Sequence, residues 1–384
     1  MRQDSELLLD NLYNAFDPFE PLKAGDPNYV NCRDVRGDED IVEDLGRRMR
    51  RARRMTCQLY TGHRGAGKST ELLRLKQYLE EQKFHVVYFA ADEEDVDAED
   101  TQYTDILLAC TRHLLEDLKQ SANPRPLLQW LQIRWQELRD LALTEVAFEG
   151  LSVESQISQF AKLTANLRAV PSLRQKIREK INPQTVTLIK ALNEFIGEAK
   201  KQLPNGCQQL AVIADNLDRI VPITQKSGHT NHEEIFLDRS EQLKALDCHL
   251  IYTVPISLVY SRRAADLREI YSDPHILPMI MVQTEKGEAY QPGLNKIHEV
   301  ISKRVRQFAP TLSLDKDIFD SPDTLEGLSL MSGGHVRNLL LLIQDAIGRT
   351  AELPISQTTV RRAITQARDT YRRTVESKQW SLLA

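Results

Sequence analysis

The run Gly62-His63-Arg64-Gly65-Ala66-Gly67-Lys68-Ser69 limits what this chain can fold into more than any other stretch of it. Glycines at 62, 65 and 67 let successive backbone N–H groups turn inward as a nest for the β- and γ-phosphates of a nucleotide. His63, Arg64 and Ala66 fill the loop between them. Lys68 brings a point charge to the same oxygens, and the Ser69 hydroxyl, with Thr70 behind it, is placed for Mg²⁺. The N-terminus of a following helix adds its dipole. Such a loop requires a strand before it and a helix after it. Residues 57–61 read as a short buried strand, and 68–80 as a helix with Leu72, Leu75 and Leu79 on its inner face. Residues 84–90 read as a second strand, which completes the βαβ context of a P-loop.

The counterpart of the loop is an apolar strand ending in an acid that holds the Mg²⁺ shell. Residues 210–214 supply the strand, and Asp215 stands at the carboxyl edge, where ligands gather in open α/β sheets. Ser69 and Asp215 are therefore the metal ligands the sequence predicts. The next residue is Asn216, whose amide orients water but cannot take its proton. Two readings stay open: Asp218 serves as the base, or hydrolysis is slow and the nucleotide acts mainly as a switch. The sequence has no N-K-x-D motif to read guanine, so the nucleotide expected is ATP.

A chain of 384 residues has room for two or three domains. Pro18, Pro21 and Pro27 make 1–40 read as an extended arm, and 41–120 carries the first part of the loop-bearing core. From 121 to 205 only helical periodicity is found, as in Leu127, Leu131, Trp135 and Leu138, which predicts an all-helical insertion. Strands resume in 206–290, at 249–254 and 278–282, and 291–384 reads as a C-terminal helical lid. The fold class expected is α/β: a three-layer P-loop NTPase with a parallel sheet, a helical insertion and a lid.

A net charge of -5 gives the whole molecule no attraction for nucleic acid. The local exception is six arginines between positions 47 and 54. On a helix over 40–55 with Ile41, Leu45, Met49 and Ala52 inward, they are expected to be solvated and balanced by Glu39, Asp40, Glu43 and Asp44. Five scattered cysteines without a C-x-x-C pair read as reduced thiols. No apolar run approaches the ~18 residues of a membrane span, and the acidic start does not read as a signal peptide. The cytoplasm is the location these features predict.

Gly334-His335-Val336-Arg337 opens a helix that carries Leu339, Leu340 and Ile343. With the glycine loop and the acidic strand, it makes the chain resemble the AAA+ superfamily and the related STAND signal-transduction ATPases, over roughly 35–364. The resemblance implies that Arg337 reaches the γ-phosphate from the lid, as a sensor 2 arginine, and that Thr253 occupies the sensor 1 position. It implies that the box Val35-Arg36-Gly37-Asp38-Glu39-Asp40 flanks the adenine. AAA+ proteins place an arginine finger, acting in trans, between the fourth and fifth strands. This chain offers Arg262, Arg263 and Arg268 there, with Arg268 nearest the fifth strand. The fixed fork and permanent charge of arginine suit a γ-phosphate in transfer. The run Asp215-Asn216-Leu217-Asp218-Arg219 also resembles the D-D-L-D-R of KAP-type NTPases, although the membrane helices common in that group are missing. The implied function is an ATP-driven switch that couples nucleotide state to self-association or to docking of a protein partner. The alternative is a nucleic-acid-engaging ATPase of the initiator or transposition-regulator kind, using 47–54 or the insertion. A winged-helix domain would support that alternative, but the residues after the lid helix ending near Arg349 are expected to be too few to build a complete one.

Overall fold

The computed structural model of the chain describes residues 2–38, 40–139, 151–226 and 228–375. Its sheet holds β1 (Cys57–Gly62), β2 (Phe84–Ala90), β3 (Gln209–Asp215), β4 (His249–Thr253) and β5 (His275–Leu277). The strand order is β2-β3-β4-β1-β5, and the β2/β3, β3/β4 and β1/β4 pairs are parallel. Phe84 lies opposite Gln209, Ala211 opposite His249, and Cys57 opposite Leu250. Residues 210–214 are apolar without alternation and all are fully buried, as are 249–253. Successive side chains point to opposite faces, so a strand buried throughout must be covered on both. The result is three layers, helix, sheet and helix, as the sequence predicts.

The chain leaves β1 for β2 at the far edge and leaves β4 for β5 on the other side of β1. Connections diverge at the β1/β4 boundary, the kind of switch point at which crevices open beyond the carboxyl ends of strands. Thr61, at the end of β1, donates its hydroxyl to the Val254 carbonyl just past β4 (2.7 Å), which locks those two ends together.

Helices follow in the order α1 (Arg2–Ala15), α2 (Arg47–Arg51), α3 (Lys68–Glu81), α4 (Tyr103–Leu118), α5 (Arg125–Arg139), α6 (Val153–Ala169), α7 (Pro171–Ile181), α8 (Thr185–Ala199), α9 (Ala264–Tyr271), α10 (Gln291–Arg306), α11 (Pro322–Met331), α12 (Val336–Gly348) and α13 (Gln357–Thr374). Two compact units emerge. One joins Ile41–Gly62 with Glu71–Ile276; the other joins Met1–Asp40, His63–Thr70 and Leu277–Ala384.

In the first unit, the insertion does not build a core of its own. Leu127, Leu131, Ile157, Phe160, Ile177, Leu188 and Phe195 share one continuous core with Val87, Val212 and Leu250 of the strands. Residues 140–150 of the insertion, and the side chains of Trp135 and Leu138, lie outside those described. Charge adds a second attachment. Arg174 and Arg178 of α7 are buried, and they grip the segment that leads from β2 into α4. Arg174 bonds Asp100 (2.8 Å) and Asp97 (2.9 Å), and Arg178 bonds Asp100 (2.7 Å) and Asp105 (3.1 Å). The helix expected over 40–55 is shorter than the periodicity suggests: a π-turn at Val42–Gly46 leads into α2, which ends at Arg51. Of its apolar stripe, Ile41, Leu45 and Met49 are buried as expected, whereas Ala52 falls on the extended cap after α2 and is half-buried.

The second unit corrects the reading of 1–40 as an extended arm. Leu9, Leu12 and Phe16 form a stripe on and just beyond α1 that joins the core with Ile297 of α10, Leu328 of α11, Leu339 and Ile343 of α12, and Val360 of α13. All three prolines that suggested irregular chain lie after this helix. The fifth strand is also shifted from 278–282 to His275–Leu277. Pro278 has no N–H to give a ladder, and donors beyond it are committed elsewhere. Ile280 N–H donates to the Gly334 carbonyl (3.3 Å), and Met281 N–H to that of Val35 (2.9 Å). The five cysteines are free thiols, and no helix among the described residues is long and apolar enough to cross a membrane.

Removing Arg178 strands a carboxylate, Asp105, that is 4% exposed. Arg178→Ala is expected to lower stability by about 3 to 5 kcal/mol in urea unfolding, the cost of an uncompensated buried charge. A loss below about 1 kcal/mol would mean that the apolar core alone holds the insertion.

Candidate functional site

The glycine loop connects β1 to α3, and it is held from its carbonyl side. The His63 carbonyl accepts from Ala66 N–H (3.1 Å) and from the Lys68 ammonium (3.1 Å). The Arg64 carbonyl faces His335 Nε2 (2.6 Å), the Gly65 carbonyl accepts from Arg337 N–H (3.1 Å), and the Ala66 carbonyl from Arg36 Nη2 (2.8 Å). A trans peptide is planar, with its C=O and N–H pointing in opposite directions. Fixing the carbonyls of Arg64 and Ala66 therefore aims the N–H groups of Gly65 and Gly67 the other way. Gly65 and Gly67 adopt φ of +89° and +103°, which side-chain-bearing residues rarely take up. Lys68 and Ala66 are buried, Ser69 is half-buried, and His63 and Arg64 are exposed. Thr70 Oγ1 accepts from Leu22 N–H (3.1 Å), which ties the segment after α1 to the first turn of α3.

Two glycines bring α12 to the loop. Gly333 and Gly334 have φ of +60° and +74°, and a Cβ on Gly334 would lie 1.7 Å from the Ile280 carbonyl oxygen. The chain then enters α12 with His335 as N-cap, its Nδ1 accepting from Asn338 N–H (3.2 Å). With Nδ1 an acceptor, the ring proton sits on Nε2, which donates to the Arg64 carbonyl. Burial holds the His335 pKa below that of an ordinary histidine, against the pull of that carbonyl. The resemblance assigned Arg337 a role through its side chain; here its backbone N–H binds the loop and its side chain is half-buried. Sequence reasoning gave no role to His335 or Arg36, although both stand inside motifs it had singled out. Neither spacing nor residue type shows that an imidazole will serve a helix cap and a distant carbonyl at once.

In the sheet-bearing unit, Asp215 is 1% exposed at the end of β3. Its Oδ2 accepts from the Tyr88 hydroxyl (2.8 Å) and its Oδ1 from Asn216 N–H (2.7 Å). A carboxylate accepts through both oxygens, the kind of group that takes up a metal-bound water. Asn216 is buried with φ +65°, the left-handed region that asparagine tolerates better than most residues. The residue at 216 thus has a backbone reason of its own. Thr253 Oγ1 accepts from Leu217 N–H (2.9 Å), so this buried hydroxyl braces the acidic turn. Asp218 is half-buried on the 3₁₀ turn Leu217–Arg219, and Arg219 bonds Asp92 (2.6 Å).

Arg268 is exposed on α9 and pairs with Asp273 (2.5 Å). Arg263 is held by Asp238 (2.8 Å) and Asp266 (3.0 Å), and exposed Arg262 makes no ion pair among the described residues. The arginines from 47 to 54 are all exposed, as expected for a solvated face. Arg47 pairs with Glu43 (3.3 Å), while Arg48, Arg50, Arg51, Arg53 and Arg54 have no ion pair among the described residues, and Glu39 lies outside them. Among those residues no group of three His, Cys, Asp or Glu side chains is gathered for a metal.

No family model and no curated protein matches the sequence. Among solved structures, the Orc1 protein of Aeropyrum pernix in complex with DNA is similar at a TM-score of 0.44 and 13% identity, over 89% of this chain and 66% of that one. Cdc6p from Pyrobaculum aerophilum gives 0.43 and 12% over 91% and 69%. The Aeropyrum pernix ORC2 protein in ADPNP–ADP complexes gives 0.44 and 12% over 92% and 71%. This chain spans about two thirds of the length of the first of these. Likeness of that extent carries no inference about activity or partner.

A methyl group at Gly65 would lie 2.4 Å from His335 Cε1 and 2.8 Å from Arg337 Cβ, whereas one at Gly67 meets nothing within 4 Å. Both positions carry positive φ, so their difference isolates the contact with α12. Gly65→Ala is expected to cost about 1 to 3 kcal/mol more than Gly67→Ala in thermal unfolding, the usual penalty of overpacking. Equal losses would show that α12 is not seated on the loop.

Proposed function

We propose that this chain binds ATP with Mg²⁺ and works as a nucleotide-dependent switch of the AAA+/STAND type. The observation that carries the reading is the set of loop carbonyls held from outside, which turns the amides of Gly65 and Gly67 away from those contacts and so offers them as donors to a phosphate. Lys68 adds charge to the β- and γ-phosphates and Ser69 a ligand to Mg²⁺, with Asp215 as the carboxylate of the metal's outer shell. Thr253 and Arg337 report on the γ-phosphate in this reading. With an asparagine at 216 selected by the backbone, turnover is slow, on the order of 1 s⁻¹ or below, and Asp218 is the candidate base on the same turn.

Lys68→Ala should abolish tight ATP binding in titration calorimetry, because ammonium and nest act on the same oxygens. Wild type should bind GTP more weakly than ATP. Unchanged ATP affinity in the variant would sink the P-loop assignment.

The switch output is self-association or docking of a protein partner, with Arg268 as the arginine supplied in trans. Its pairing with Asp273 is between two largely exposed groups. Such pairs are weak, at about 0 to 1 kcal/mol, so the guanidinium is readily exchanged for a phosphate. Light scattering with a non-hydrolysable ATP analogue should show assembly at micromolar protein, lost in Arg268→Ala. A strict monomer under those conditions would defeat self-association and leave docking to a different protein.

A further inference from the structure

The loop's carbonyl clamp contains one side chain whose two functional atoms serve different tasks. His335 Nδ1 caps α12 by accepting Asn338 N–H (3.2 Å), and Nε2 holds the Arg64 carbonyl (2.6 Å). The ring also lies over Gly65, where a Cβ would approach Cε1 to 2.4 Å, so imidazole and glycine are fitted to one another. Its position is not left to a mobile side chain. The preceding turn is fixed by Ser332 Oγ, which accepts from Gly334 N–H (3.1 Å), and by the Ile280 N–H bond to the Gly334 carbonyl (3.3 Å). One residue on, Arg337 N–H takes the next loop carbonyl, that of Gly65 (3.1 Å). The start of α12 thus fixes two consecutive carbonyls, and with them the direction of the amides that follow.

We infer that His335 is a positioning residue for the phosphate loop: by holding the Arg64 carbonyl from the N-cap of α12, it presets the Gly65 amide for the triphosphate and makes nucleotide affinity depend on the seating of the lid helix. This rests on the reading of the loop as an ATP site. His335 touches no phosphate in this role; its effect passes through peptide 64–65. A preset amide spares the ligand the cost of ordering the loop, so losing the hold weakens binding without removing any group that contacts ATP. Linkage makes the effect reciprocal: bound ATP, by fixing the loop, also favours the docked position of α12.

Two substitutions separate capping from positioning. Asparagine is among the best N-caps but is too short to reach Arg64, so His335→Asn keeps the cap and drops the hold. Glutamine reaches as far as the imidazole and still donates, but it caps poorly, so His335→Gln keeps the hold and drops the cap. The full-length protein is titrated with Mg-ATP by calorimetry, and its melting temperature is followed in parallel. His335→Asn is expected to melt like wild type yet bind ATP about 3- to 10-fold more weakly, the range of one ordinary hydrogen bond. His335→Gln is expected to melt lower and bind within about twofold of wild type. ATP affinity that is unchanged in His335→Asn, or that tracks melting temperature across both variants, overturns the inference. Wild type that binds no ATP defeats the underlying reading instead, and the two failures are distinct.

Discussion

The hold on the glycine loop's carbonyls is the constraint on which the geometry of the candidate phosphate site depends. A loop with three glycines in six residues has little preference of its own for one set of peptide orientations. Arg36, Arg337 N–H and His335 each bind one of its carbonyls, and planarity of the peptide converts that into a direction for the amides. Gly334 serves the same end, since a Cβ there would run into the Ile280 carbonyl, while Gly333 contributes a positive φ to the same turn. Met281, held by the Val35 carbonyl, draws the box around Arg36 into the same assembly. Preorganisation of this kind leaves less entropy to lose when an anion binds.

In the sheet-bearing unit the comparable centre is the acidic turn. Asp215 is braced by Tyr88, Leu217 N–H by Thr253, and Arg219 by Asp92. The segment beginning at Asp92 continues to Asp97 and Asp100, which Arg174 and Arg178 bind from the insertion. A chain of hydrogen bonds and ion pairs, interleaved with covalent steps, therefore runs from the end of β3 into α7. It gives the insertion a polar attachment in addition to the core it shares with the strands.

The strongest sequence signals were those in which adjacent residues do the chemistry. Residues 210–214 read as an apolar strand ending in an acid, and β3 carries all five of them fully buried, with Asp215 at its end. The readings that failed depended on partners. The prolines of 1–40 suggest irregular chain, yet Leu9, Leu12 and Phe16 carry a helical stripe whose partners are on α10 and α12. A fifth strand at 278–282 fitted an apolar run, but the donors of Ile280 and Met281 go to Gly334 and Val35 instead. Asn216 read as a missing base, and the left-handed turn it occupies supplies a separate reason for that residue.

By itself the sequence determined the loop, the acidic strand and the helical lid, because glycine freedom, apolar runs and helical periodicity act over a few bonds. Only the tertiary structure decided which groups hold the loop. His335 and Arg64 are 271 positions apart, and Arg36 and Ala66 are 30 apart, and nothing in either local pattern names the other member. Periodicity tells which face of a helix is apolar, and a cap motif tells where it starts. Neither specifies which carbonyl elsewhere in the chain will lie in front of that start, because that follows from the packing of α1, α10, α11, α12 and α13 into one core.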